Sequence, residues 1–373
     1  MLKVLGLASY PVEAAATRYR LQQFVAPLAE RGIELEIRPF LDSRLFASLY
    51  RRAELPRTAV GLLRSALGRV ADVAAVRGAD VLLVQREAMM FGPPLIEWLM
   101  TRVAERPMVL DLDDATYVSY TSPTYGRLGS ALKWFGKTDD LIRWARVVTC
   151  GNRSIAEYVE RKGGRARLLP TVVDTESFRP RHAHDDADER HAATDDETPV
   201  VGWIGTHSTY PYLESVFPVL QRLAREGVRF RLKVVGAGRE DVSVEGVEVE
   251  SLPWKLEREI GDFQSFDVGL YPIVPSDWAT GKSGFKSIQY MAVGVPFVAT
   301  PIGASAEIGE EGRTHFAAAT PDAWHAALRR LLSDKHLRRQ MGTAGRAHAL
   351  AHYTVPAQAD TLAAALREAA KGG

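Results

Sequence analysis

Two stretches of this sequence combine ionisable side chains with the backbone freedom that anion recognition needs. The first is Ala279-Thr280-Gly281-Lys282-Ser283-Gly284-Phe285-Lys286. Lys282 and Lys286 stand at the expected start of a helix over Phe285–Val293, where cationic charge and unpaired backbone N–H groups would converge on a phosphate or diphosphate. Solvent-exposed lysines are the plainer alternative. Gly-Lys-Ser has the look of a P-loop, but that motif needs a glycine where Ser276 stands, and Pro272-Ile273-Val274-Pro275 cannot form a clean central strand ahead of it. Three further turns in the same half have the composition to bring backbone close to an anion. Gly205-Thr206-His207 follows an apolar strand and precedes a helix opened by Pro211; Gly236-Ala237-Gly238 ends a second strand; Gly303-Ala304-Ser305-Ala306-Glu307 ends a third. One such turn is weak evidence, since most are simple strand-to-helix connections. Three in one half form a pattern.

The second stretch is Asp111-Leu112-Asp113-Asp114. It closes a strand in the first half, so Asp113 and Asp114 are expected beyond the strand's carboxyl edge. Asp-x-Asp could chelate a metal, and a carboxylate there could equally cap a helix. Gln85-Arg86-Glu87 ends another strand of that half, and Thr17-Arg18-Tyr19-Arg20 follows the first one. Cys150 is the only cysteine. It excludes an intrachain disulfide, fits a reducing compartment and reads as a small buried hydrophobe.

Short apolar strands alternate with helical patterns along the whole chain, and these elements must position the residues above. Strands are expected at Val4–Ala8, Ile33–Arg38, Val81–Gln85, Met108–Leu112, Val147–Cys150 and Ala166–Leu169, with helices over Arg18–Arg31 and Pro93–Glu105. Residues 181–199 contain no large apolar side chain and read as an acidic linker or loop; their three histidines among carboxylates tempt a metal reading, with a solvated segment as the plainer one. A second set begins with strands Val200–Ile204, Phe230–Val235, Val247–Glu250, Val268–Tyr271 and Phe297–Thr300. Helices are expected over Tyr212–Glu226, Phe285–Val293, Pro321–Leu332, Lys335–Leu350 and Pro356–Ala370. The fold class is therefore α/β, with two doubly wound Rossmann-like domains: 1–180, then the acidic segment 181–199, then 200–355, with 356–373 able to pack back on the first. In such sheets ligands lie beyond the carboxyl ends of the strands, here expected where two domains face each other.

Bulk composition narrows the function. The 373 residues suffice for two domains, and a net charge of +1 disfavours a nucleic-acid-coating protein. Residues 1–180 nevertheless carry 26 Lys/Arg against 20 Asp/Glu, whereas 181–199 carry 2 against 7. Residues 43–70 hold six arginines against Glu54 alone, interleaved with Leu45, Phe46, Leu49, Tyr50, Leu62, Leu63 and Leu67. Such a stretch could rest on an anionic membrane surface, or form an ordinary helix pair covering the sheet. There is no signal-peptide pattern and no apolar run of spanning length, so a cytoplasmic protein, or one peripheral at the inner face of the cell membrane, is expected.

Taken together, Leu232–Gly238, Phe266–Pro272 and Lys286–Thr300, with Leu169–Pro180 in the first half, resemble glycosyltransferase family 4, of GT-B fold, over most of the chain and in the right order. The resemblance implies retaining transfer from a nucleotide-diphosphate sugar held by the C-terminal domain, an acceptor on the N-terminal domain, no cofactor and no metal. With it, donor contacts are expected at Gly205, Thr206, Gly236, Gly238, Gln289, Gly303, Ala304, Ser305 and Glu307; Lys282, Lys286 and His207 are the candidates to replace cations the family has and this chain lacks, and Arg18, Arg20, Arg86 and Glu87 are the acceptor-side candidates. Asp113, Asp114 and Lys286 are the candidates for the reacting centre. Two departures stand out. Of the family's E-x7-E pair, Gly281 takes the first place and Gln289 the second, and the Arg and Lys that usually follow the first glycine turn are absent. A glycan, a lipid-linked compound or a metabolite could be the acceptor. A sugar-nucleotide epimerase of the same architecture, and a non-catalytic sugar-nucleotide binder, are the alternatives. Trp254 and Trp278, in loops after strands, could flank base or sugar or simply pack.

Overall fold

The computed structural model describes residues 1–48, 55–119, 126–181, 198–239 and 241–371. The acidic segment therefore lies mostly outside the described residues, as do residues 49–54 of the basic stretch. The chain divides into two compact units: Met1–Val172 with Gly281–Ser283 and Val355–Gly373, and Val173–Thr280 with Gly284–Thr354.

In the first unit, strands β1 (Leu2–Ala8), β2 (Ile33–Pro39), β3 (Val81–Gln85), β4 (Met108–Leu112), β5 (Val147–Cys150) and β6 (Ala166–Leu168) form one sheet in the order β2-β1-β3-β4-β5-β6. Every pairing is parallel. β3, β4 and β5 are buried at every position, as continuous Val/Leu runs covered on both faces must be. Leu82, Val84, Leu110 and Val148 pack with Ile96, Leu141, Ile155 and Val159 from the flanking helices. The last helix, Val355–Lys371, lies over β3, β4 and β5 and buries Leu362 and Leu366. Ion pairs Arg31–Asp360 and Arg167–Glu368, both at 2.6 Å, hold its flanks.

The second unit repeats the design with β7 (Val200–Ile204), β8 (Arg231–Val235), β9 (Glu248–Leu252), β10 (Val268–Tyr271), β11 (Phe297–Ala299) and β12 (His315–Ala317), ordered β12-β11-β10-β7-β8-β9 and again all parallel. Relative to its own chain order this is the dinucleotide-fold arrangement, whose order reverses between β7 and β10.

Two expected helices are broken. Arg18–Arg31 becomes Ala15–Arg20, a 3₁₀ turn and Val25–Glu30, because Pro27 cannot donate to the Gln23 carbonyl. Tyr212–Glu226 becomes Tyr210–Glu214 and Phe217–Arg225, because Pro218 cannot donate to that of Glu214. The edge strand β12 is an addition; it is three residues long and carries His315, so no apolar run announces it.

Candidate functional site

In the second unit the expected turns gather at the carboxyl ends of the strands. Gly205 follows β7, and its N–H donates to the Val235 carbonyl at the end of β8 at 3.0 Å. A side chain at Gly205 would meet the Trp203 ring at 2.2 Å, so only glycine fits. Thr209 Oγ1 accepts from the Thr206 N–H at 3.0 Å, and the amides of Thr209 and Tyr210 donate to the Thr206 carbonyl, curling the turn so that Thr206, His207 and Ser208 face solvent. Gly236 and Gly238 have φ of +82° and +73°. A Cβ on Gly236 would fall 2.3 Å from the Gly205 carbonyl oxygen, and one on Gly238 2.7 Å from His207 Cβ. The two turns are thus packed backbone to backbone, with Trp254 beside Gly236.

The third turn is built the same way. Gly303 has φ +53°, and its Cβ would lie 2.1 Å from the Thr280 carbonyl. Gly284, φ +65°, precedes the helix Phe285–Ala292, and a side chain there would strike Ile308 and Ala304. Ala304 and Ser305 are buried. The Ser305 hydroxyl is turned into its own loop, accepting from the Ile302 N–H at 3.1 Å and bonded to the carbonyls of Thr300 and Ile302. It clasps the turn rather than facing a ligand. Glu307 is exposed.

On the helix Phe285–Ala292, Lys286 Nζ donates to Gln289 Oε1 at 2.9 Å and lies 5.2 Å from the centre of the Phe263 ring. Gln289 has no exposed surface, and its Nε2 donates to Glu259 Oε1 at 3.4 Å. As a donor contact Gln289 is expected to face a ligand; the structure instead turns it inward, between Lys286 and Glu259. Glu259 was not singled out, because no motif marks it; it opens the short helix Glu259–Gln264, and only folding brings its carboxylate to residue 289.

The first unit carries a separate cluster at the carboxyl ends of β3 and β4. Arg86 has φ +63°, a left-handed conformation that is uncommon for a residue other than glycine. Its Nε and Nη2 each donate to Asp113 at 2.6 Å, and Nη2 also reaches Asp114 Oδ2 at 2.8 Å. Burial alone would push both carboxyls up. For Asp113 the Arg86 charge and hydrogen bonds, aided by Arg20, outweigh burial and hold it below the usual carboxylate range. For Asp114 burial wins, reinforced by Asp113 next door, and its carboxyl sits above that range despite Arg86 and Lys282. Lys282 belongs to this unit with Gly281 and Ser283, not to the glycine turns of the second; Asn152 Nδ2 donates to its carbonyl at 3.0 Å.

Two acceptor-side candidates are committed to the protein itself. Arg20 is 1% exposed. It donates to both oxygens of Asp111 and, at 2.6 Å, to the Leu169 carbonyl, so it pins the first helix to β4 and to the end of β6. Glu87 is buried between Lys133 and Lys137 at 2.8 and 2.7 Å; those charges overcome its burial and keep its carboxyl below the usual range. Arg18 remains near the surface, its Nη1 donating to the Glu13 carbonyl at 3.1 Å. Cys150 is fully buried, and burial pushes its thiol up to about 12. Among the described residues no group of three or more His, Cys, Asp or Glu is placed to hold a metal ion. The 680 Å³ cavity of the second unit lies at the amino ends of β7 and β8, lined by Pro199, Arg231 and Lys233, and so at the wrong edge of the sheet for the glycine turns.

Two parallel six-stranded sheets with helices on both faces, and glycine turns at the carboxyl ends of the second, define the GT-B architecture of glycosyltransferases. Residues 198–334 match the family model described as "Glycosyl transferases group 1". That part of the second unit is thus similar to the group 1 glycosyl transferases. HepE from Anabaena in complex with UDP-glucose superposes with TM-score 0.71 at 16% identity, over 98% of this chain and 100% of that one. Sucrose-phosphate synthase from Thermosynechococcus elongatus gives 0.71 at 15%, over the whole of both chains. A glycosyltransferase from Rickettsia africae gives 0.69 at 12%, over 100% of this chain and 99% of that one. None of the curated proteins compared is similar in sequence.

Proposed function

We propose that the protein transfers a sugar, with retention of configuration, from a nucleotide-diphosphate donor held by the second unit to a hydroxyl of a glycan, lipid-linked or metabolite acceptor held by the first. One observation carries the donor assignment. The Gly205 turn and the Gly236–Gly238 turn meet so closely that neither tolerates a side chain, leaving exposed backbone and hydroxyls at the carboxyl end of β7, the strand that borders the point where the order reverses. That is the setting in which dinucleotide folds bind a diphosphate. Lys286 supplies fixed positive charge from its own helix. Negative charge develops on the departing diphosphate as the glycosidic bond breaks, and preorganised cations and N–H groups lower that barrier. The leaving phosphate can accept the acceptor's proton, so no protein nucleophile is required. No cofactor or metal enters this reading. Asp114, whose carboxyl burial holds above the usual range, and Asp113 are the groups proposed to meet a sugar hydroxyl on the first unit.

HepE was solved with UDP-glucose, so uridine diphosphate is the first ligand to try. Calorimetric titration with UDP, GDP and ADP should give one tight partner; heat from none of them would end the donor assignment. Lys286→Ala should weaken the diphosphate by roughly 10- to 100-fold, a charge-assisted contact of about 1.5–3 kcal/mol, and the nucleoside hardly at all. The buried Gln289, with no carboxylate at position 281, favours one second reading, a non-catalytic sugar-nucleotide binder. Labelled donor incubated with candidate acceptors separates the two, and epimerised donor alone would point to an epimerase.

A further inference from the structure

The first unit exposes apolar side chains in three neighbouring segments. The helix Leu55–Ala75 places Val60, Leu63, Leu67 and Val70 outward, 52–63% exposed. At 100° per residue these four lie within an arc of about 80°. The inward face of the same helix carries its polar pair: Arg69 is 2% exposed and donates to the carbonyls of Ala8 and Ala88, while Asp72 pairs with Arg69 and Arg38. Against the ordinary pattern, the buried side holds the ion pair and the solvent side holds the large hydrophobics. This helix neighbours Leu95–Trp98, where Leu95 is 54% and Trp98 42% exposed. Just before that segment, the Gly92 N–H donates to the Leu132 carbonyl at 2.8 Å. There Leu132 and Trp134 are 56% and 54% exposed, while Lys133 between them turns in to Glu87. Trp134 has φ +56°, an outlier for so bulky a residue, and that backbone conformation accompanies a tryptophan held in solvent.

We infer that these segments form a docking surface for an anionic lipid bilayer. The charge pattern selects that occupant. The exposed charges on the helix Leu55–Ala75 are Arg57 and Arg64, its one acid being turned inward, and Arg102 and Arg127 are exposed on the helices beside Trp98 and Leu132. Leucine and tryptophan flanked by arginine suit the headgroup boundary, where apolar side chains enter the acyl region and guanidinium groups meet phosphate. A second copy would bring the same cations face to face. No helix among the described residues is long and apolar enough to cross a membrane, so the contact is interfacial. The inference extends the membrane contact read over residues 43–70 to segments far from it in sequence, and it does not depend on the donor assignment.

The test is flotation of the full chain with vesicles of phosphatidylcholine alone and of phosphatidylcholine with phosphatidylglycerol. The chain should float with the anionic vesicles at low salt, fall off as salt is raised, and stay behind with the neutral ones. Leu63→Glu with Leu67→Glu should cut flotation by at least about tenfold, and Trp134→Ala by less. Both variants should keep the parent's thermal midpoint and nucleotide titration, because the altered groups face solvent. Failure to float with anionic vesicles, or unchanged flotation of the glutamate variant, overturns the inference. So does a dimer in light scattering that the glutamates dissociate without any vesicle binding. The nucleotide titration, run without lipid, judges the donor assignment separately.

Discussion

At the scale of single residues, Asp113 and Asp114 are neighbours with opposite electrostatic fates. Asp113 takes both strong bonds from Arg86, so its contribution to stability is present above the usual 3.8 and is lost as pH falls through its lowered value. Asp114 runs the other way. Its raised value means that the folded state favours the proton, so its contribution is largest in acid and fades as pH rises through that value. Asp113→Asn should therefore cost roughly 3–5 kcal/mol near neutrality by leaving the Arg86 guanidinium poorly paired. Asp114→Asn should be neutral or stabilising there. Thermal melts of both variants from about pH 3 to about pH 8 check the pair; equal losses at neutrality would mean that Asp114 is a structural partner like Asp113. Neither assignment could be read from Asp-Leu-Asp-Asp, because Arg86, 27 residues from Asp113, decides the first and burial in the folded unit decides the second.

At the scale of elements, the second unit's turns work by backbone contact. Gly236→Ala places a methyl within 2.3 Å of the Gly205 carbonyl and forces an L-residue to φ +82°. The left-handed conformation alone costs about 1–2 kcal/mol, and the clash must also push the turns apart. Nucleotide affinity should fall at least about tenfold with a lowered thermal midpoint. A variant that melts early yet binds UDP like the parent would place the ligand elsewhere. Glycine at the ends of strands was legible in the sequence, and so were the central strands: Val81–Gln85, Met108–Leu112, Val147–Cys150, Val200–Ile204 and Val268–Tyr271 have the bounds their apolar runs predict. Helix continuity was less legible. Two proline positions divide what amphipathic spacing joined, and the helices Lys137–Trp144 and Arg153–Arg161 are too short for their period to stand out.

At the scale of the molecule, the helix Val355–Lys371 belongs to the first unit although it follows the second in sequence. It buries Val355, Leu362 and Leu366 with four alanines, and each leucine so buried is worth about 1.5–3 kcal/mol. A chain ending at Thr354 should expose the sheet face over β3–β5 and unfold its first unit at lower temperature. Hydrogen exchange should then rise in β3, β4 and β5 while β7 and β8 stay protected. Uniform loss of protection in both sheets would mean that the two units do not unfold independently.

Pattern in the sequence determined what depends on near neighbours along the chain: parallel strands from unbroken Val/Leu runs, turns from glycine, and a buried Cys150 from its strand. The resemblance to a transferase family rested on the same local runs. Tertiary structure decided every matter of partnership. Arg20 and Asp111 are 91 positions apart, Gln289 and Glu259 are 30 apart, and Glu87 lies 46 positions from Lys133. A charged side chain reads as available until its counter-charge is found, and no spacing rule reaches across such distances. The outward turn of Leu63 and Leu67 was hidden for the same reason: helical period fixes that they share a face with Val60 and Val70, but only the packing of Arg69 against β1 and the loop after β3 fixes that this face meets solvent.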